Sequence, residues 1–150
     1  MRSMGIVVVG AAVLAACLAG AKERKVRMSD LPAAVQQTVR EKTKGVEVLG
    51  LDEEVEDGKT FYEVETRVNG KTNDILIDTA GVVVEMEEEV SLDTIPEPAR
   101  AAILREAGAG KIRIVEAVTK DAVTVYEAHV KKAGKTSEVV VAADGTVREH

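Results

Sequence analysis

Tryptophan is absent from the chain, phenylalanine occurs once (Phe61) and tyrosine twice (Tyr62 and Tyr126). A hydrophobic core must therefore be assembled from Val, Ile, Leu and Ala, and few aromatic anchors are left for a tight protein interface. Cysteine is represented by Cys17 alone, so no internal disulfide can form. Basic residues do not exceed acidic ones: the formal charge is -6, which excludes a protein that tracks nucleic-acid phosphates. Ser29, Ser91 and Ser137 lack the flanking glycines of a nucleophile elbow, and no Gly-rich phosphate loop occurs. The two histidines, His129 and His150, have no cysteine partner and no H-x-x-x-H spacing, so no transition-metal motif is present. His129 is expected to be solvated on an exposed strand face. These absences leave no catalytic set and no cofactor to expect. The remaining composition, 45% hydrophobic and 31% charged, is that of a folded globular protein rather than a disordered chain.

The opening segment, "MRSMGIVVVGAAVLAACLAGAK", has one basic residue, Arg2, followed by an uncharged apolar run from Met4 to Ala21. The run is short for a bilayer span and has the form of a secretory leader. Leu14-Ala15-Ala16-Cys17 resembles the bacterial lipobox, which would make Cys17 a lipidated N-terminus in the periplasm or cell envelope. The alternative is cleavage after Ala21, at the small residues Ala19-Gly20-Ala21, releasing a soluble chain. On this reading residues 1–21 are leader and the start of a tether, and residues 22–27 complete the tether, with Lys22, Arg24, Lys25 and Arg27 near the lipid headgroups.

Beyond the tether the sequence repeats itself. Tyr62 and Tyr126 stand 64 positions apart, as do Gly70 and Gly134, Gly81 and Gly145, and Pro32 and Pro96. Each half begins with a helical pattern: Leu31, Val35 and Val39 form one apolar stripe, and Ile95, Ala99 and Ile103 the matching one. Hairpin signals follow at Asp57-Gly58, Asn69-Gly70, Ala80-Gly81, Gly134 and Asp144-Gly145. The expected fold is α+β: two tandem repeats, 28–90 and 91–150, each a helix followed by a four-stranded antiparallel meander. The two modules would lie edge to edge or end to end, with both helices on one face of the sheet.

Strand alternation sorts the side chains. Tyr62, Val64, Thr66 and Val68 should lie under the first helix, and Phe61, Glu63, Glu65 and Arg67 should face away. Tyr126, Ala128 and Val130 should be covered, and Val125, Glu127, His129 and Lys131 open. The stretch "YEVETRVNGKTNDILIDTAG", with its preceding "LPxxV" helix, and the looser "YEAHVKKAGKTSEVVVAADG" resemble the PepSY-like family, whose relatives include the β-lactamase inhibitor protein. That resemblance implies an exported bacterial protein of helix-plus-sheet modules, without enzymatic activity, in which the bare sheet can cover a partner.

Glu63, Glu65, Arg67, Glu127, His129 and Lys131 are accordingly the candidate contacts for an unknown exported or envelope protein. The alternative is a small-ligand or cation-binding protein using the acidic stretches Asp52–Asp57 and Glu85–Glu89. Neither stretch follows a calcium-loop pattern, and both are expected to be solvated strand edges that discourage aggregation, with Glu87 and Glu88 at the linker end of the first module.

Overall fold

The computed structural model describes residues 22–148, so Cys17, the leader and His150 lie outside it. Among the described residues there are nine strands: β1 (Lys22–Lys25), β2 (Glu47–Glu56), β3 (Lys59–Val68), β4 (Lys71–Asp78), β5 (Val83–Glu89), β6 (Lys111–Lys120), β7 (Val123–Lys132), β8 (Lys135–Ala142) and β9 (Val147–Arg148). They pair in chain order as one continuous antiparallel sheet. Two helices, α1 (Ala33–Lys42) and α2 (Glu97–Ala107), interrupt the strand succession before β2 and before β6.

This corrects the expectation of two tandem helix-plus-four-strand modules. β5 pairs with β6 from Glu85↔Lys120 to Glu89↔Glu116, so the strands on either side of residues 90 and 91 belong to one nine-stranded sheet. Joining these strands satisfies two rows of backbone donors and acceptors that separate sheets would have left as open edges. The tether also needs correction: Lys22–Lys25 is an edge strand in register with Asp52–Val55. Arg24 holds it there through a bidentate pair with Glu53, at 2.8 and 2.9 Å. Arg27 turns back to Asp30 instead of remaining free.

Both helices cover the same face. Under α1, Leu31, Val35 and Val39 pack with Tyr62, Val64, Ile75 and Ile77. Under α2, Ile95, Ala99, Ala102, Ile103 and Ala107 pack with Val115, Ala128, Val130 and Val141. The helices sit very close to the turns beyond β4 and β8. A Cβ at Gly81 would lie 2.8 Å from the Ala34 carbonyl oxygen, and one at Gly145 would lie 2.6 Å from that of Pro98. Thr38 Oγ1 adds a 2.6 Å hydrogen bond to the Gly81 carbonyl, tying α1 to its turn.

The hairpin between β6 and β7 carries a local conflict. Asp121 and Ala122 both have positive φ, 51° and 61°, whereas the β2–β3 hairpin places Gly58 at its second such position. A Cβ in this region clashes with the backbone. Replacing Ala122 with Gly should therefore stabilise the fold by about 0.5–1 kcal/mol, net of the extra chain entropy that glycine brings to the unfolded state. Denaturant titration would read this as a higher midpoint at unchanged slope.

Candidate functional site

The face opposite the helices is built by the other half of each strand alternation. Register sets its side chains in rows. Asp52 faces Glu63, which faces Leu76, which faces Glu85, and the row ends on Lys120. The next row runs Glu65, Asp74, Glu87 and Val118. A third runs Glu89, Glu116, Glu127 and Val140. Like charges directly across strands destabilise a sheet, so this face carries a cost that the apolar face does not.

At the centre, Glu63, Asp74, Leu76, Glu85 and Glu87 line a shallow depression. Glu85 is buried and has its Oε2 atom 3.2 Å from Lys120 Nζ. Asp74 Oδ1 is buried with no hydrogen-bond partner among the described residues, as are Asp52 Oδ1 and Glu54 Oε2 on β2. Burial, and then the neighbouring carboxylates, make ionisation costly here. The Glu63 carboxyl is pushed up to about 7, with Asp74 its main charged neighbour. Asp74 rises to about 6 beside Glu65 and Glu116. Glu87 rises to about 8 beside Glu116 and Glu85. Burial also raises Glu54, with Glu56 contributing.

The six residues singled out from the sequence do not form one patch. Glu63 and Glu65 belong to the central rows and are half-buried. Arg67 and Lys131 are exposed further along their strands, opposite Thr72 and Thr136. Glu127 is fully buried, its carboxyl raised to about 8 first by burial and then by Glu138. His129 is not solvated as expected: its imidazole is 19% exposed and is enclosed by Glu116, Glu127 and Glu138. Ligand atoms of Glu116, Glu127 and His129 lie within 4.8 Å of one another, a grouping that could hold a metal ion.

The acidic stretches also sit differently from the expected solvated edges. β5 is an interior strand, Glu85 and Glu87 are part of the central group, and Glu87 is therefore not at a linker end of the first module. Asp52 and Glu54 are buried because β1 covers the edge they were expected to occupy. The sequence signal that could have found Asp74, Glu85, Glu87, Glu116 and Glu138 is the same alternation that marked Glu63 and Glu127, read on the adjoining strands. A small apolar cluster, Val118, Val125 and Val140, completes the face.

No known protein family matches the chain. No curated protein matches it either. Solved structures do resemble it. A Bacteroides eggerthii protein described as periplasmic is 17% identical, with a TM-score of 0.66 over 79% of this chain and 86% of that one. A DUF2874 family protein from Bacteroides uniformis is 17% identical, with a TM-score of 0.64 and the same coverage. A BLIP-like protein from Bacteroides fragilis is 14% identical, with a TM-score of 0.59 over 79% of this chain and 84% of that one. At these identities the likeness is one of fold. The fold is thus shared with a BLIP-like protein, and no match to PepSY-like proteins is found.

Proposed function

We propose that the protein is an exported, non-enzymatic binding protein of the bacterial cell envelope, whose working surface is the open acidic face of the sheet. Its ligand there is a partner protein presenting lysine and arginine. The observation that carries this reading is the set of half-buried carboxylates in cross-strand contact, with buried oxygens that lack donors among the described residues. A cationic group placed over Glu63, Asp74 and Glu87 would supply both the charge and the donors that the fold withholds. The leader agrees with export, and the BLIP-like fold makes an exported enzyme one class of partner to examine.

Neutralising Glu63, Glu65 and Glu87 to Gln tests the surface directly. The variant keeps side-chain size and should fold, yet a partner captured from envelope extract by the wild type should then bind, once purified, about tenfold or more weakly. The loss should be greatest at low salt, because attraction between an approaching cationic surface and these carboxylates is screened as ionic strength rises. Undiminished binding would move the working surface to the helical side.

Anchoring through Cys17 belongs to the same proposal. A fatty-acid probe should label the wild type in a bacterial host and not Cys17→Ala. A mature N-terminus at Lys22 with no label on either chain would establish cleavage after Ala21 instead.

A second reading, that the open face holds a small cation, is favoured by a different observation: the convergence of carboxylates on His129.

A further inference from the structure

We propose that Glu116, Glu127 and His129 form a binding site for a divalent transition-metal cation, with zinc the best fit, and that Glu138 orients the imidazole from its far side. The inference rests on the cation-binding reading and names its ligands and class of metal. Strand geometry assembles the group. Glu127 and His129 are two residues apart on β7 and so share a face, Glu116 lies directly across from Glu127 on β6, and Glu138 lies across from His129 on β8.

The distances fit a metal shell. His129 Nε2 is 3.2 Å from Glu116 Oε2 and 3.3 Å from Glu127 Oε1. Zinc–ligand bonds of about 2.0–2.1 Å put neighbouring donors of a tetrahedral shell about 3.3–3.4 Å apart. The imidazole nitrogen favours zinc or a similar ion over calcium and magnesium, which prefer oxygen. On the other ring nitrogen, Nδ1 is 3.9 Å from Glu138 Oε1, so a small closure would give the carboxylate that commonly fixes a metal-bound imidazole.

A proton alone serves the group poorly. Nε2 can carry one hydrogen, and its hydrogen bond goes to Glu116. Both oxygens of Glu127, whose side chain is 0% exposed, are then left without a hydrogen-bond donor among the described residues. A buried, unpartnered carboxylate aimed at an imidazole and a second carboxylate is costly unless a cation joins them. A metal in place of that hydrogen would engage all three groups. The side chains of Glu116 and His129 are 13% and 19% exposed, which leaves access for the ion and for water as a fourth ligand. The bound ion would clamp β6 to β7, with Glu138 extending the arrangement to β8.

The test is titration of the purified, chelator-stripped full chain with zinc chloride near neutral pH. One equivalent should bind with a micromolar or tighter Kd, and cobalt should give the visible absorption of a four-coordinate site. His129→Ala and Glu127→Gln should each weaken zinc binding by about thirtyfold or more, and Glu138→Gln by about tenfold with unchanged stoichiometry. Should His129→Ala not fold, Glu116→Gln replaces it, and circular dichroism confirms folding. The Glu63→Gln/Glu87→Gln chain should bind zinc as the wild type does. No zinc uptake, or uptake unchanged in the His129 and Glu127 variants, overturns the site. Cation binding that survives His129→Ala but is lost with Glu63→Gln/Glu87→Gln overturns it while sustaining the cation-binding reading; absence of binding by zinc, calcium and magnesium alike overturns both.

Discussion

Acidifying the protein from about pH 8 to about pH 5, with a chelator present, should raise its melting temperature by roughly 5–15 °C. Most proteins with paired surface carboxylates do not behave this way, and the difference lies in the open face. Glu63 and Glu87 are pushed up to about 7 and about 8, chiefly by burial. Between the ordinary glutamate range and those values the unfolded chain is ionised while the folded one retains its protons. The folded state thus binds more protons, and stability falls as pH rises. The contribution is fully present below the unfolded pKa and is lost as pH climbs through about 7 for Glu63 and about 8 for Glu87. Asp74, raised to about 6, adds in the same direction over the lower part of the window.

The groups around these carboxylates reinforce the effect. Asp52 lies directly across from Glu63 on β2, Glu54 on β2 and Asp74 on β4 are its further charged neighbours, and Glu116 on β6 is the main charged neighbour of Glu87. Carboxylates held low by partners act with the opposite sign. Asp30 beside Arg27, Glu53 beside Arg24, and Asp144 in its turn lower their pKa values. Their stabilisation is present above their unfolded pKa values and is lost only as pH falls below about 4. The window from about pH 5 to about pH 8 therefore isolates the open face. Glu63→Gln/Glu87→Gln should make the profile shallower and raise the melting temperature at the alkaline end, as replacement of a half-buried unpartnered charge does. Asp74 and Glu127, raised to about 6 and about 8, keep the remaining slope. A melting temperature that is constant or increases with pH over this range would refute the account.

Ile103→Ala should cost about 2–5 kcal/mol, enough to consume much of the stability of a domain this size. Ile103 is completely buried on α2, where its neighbours on the same helix, Ala99, Ala102 and Ala107, are all small. Those alanines bring the helix close to the sheet, and Ile103 supplies most of its bulk against Val115, Val130 and Val141. With Gly145 already pressed to the Pro98 carbonyl, α2 has little room to settle into the cavity. Val35→Ala on α1 removes fewer atoms and should cost less, since larger partners such as Tyr62, Ile75 and Ile77 surround it. Urea titration at one pH compares the two, and a loss of a few tenths of a kcal/mol for Ile103→Ala would place that residue at the surface instead.

The acidic face also bears on why such a costly arrangement persists. A stable sheet would place Thr, Lys and Glu alternately on its solvent side, giving each carboxylate a cross-strand cation. Here Glu116 opposes Glu127, Asp74 opposes Glu87, and Asp52 opposes Glu63. Lys120 meets Glu85, but Arg67 and Lys131 stand away from the acidic rows. Functional surfaces commonly retain groups that the fold alone would discard.

The sequence by itself determined which side chains share a face, because strand alternation is a local property with a period of two. Tyr62 and Val64 under α1, and Glu63 and Glu65 away from it, follow from their order alone. The stripes Leu31–Val35–Val39 and Ile95–Ala99–Ile103 were equally legible, as were turns such as Asp57-Gly58 and Asn69-Gly70, where glycine takes a positive φ. Tertiary structure decided the rest. Pairing of β5 with β6 and of Lys22–Lys25 with β2 depends on which strand edges meet, which no local pattern encodes. The same lateral packing turned Glu87 from an apparent linker residue into part of an interior depression, and His129 from an apparently solvated side chain into the centre of three carboxylates. Alternation gives a side chain its direction; its burial and charge partners come from strands distant in sequence, and these set its chemistry.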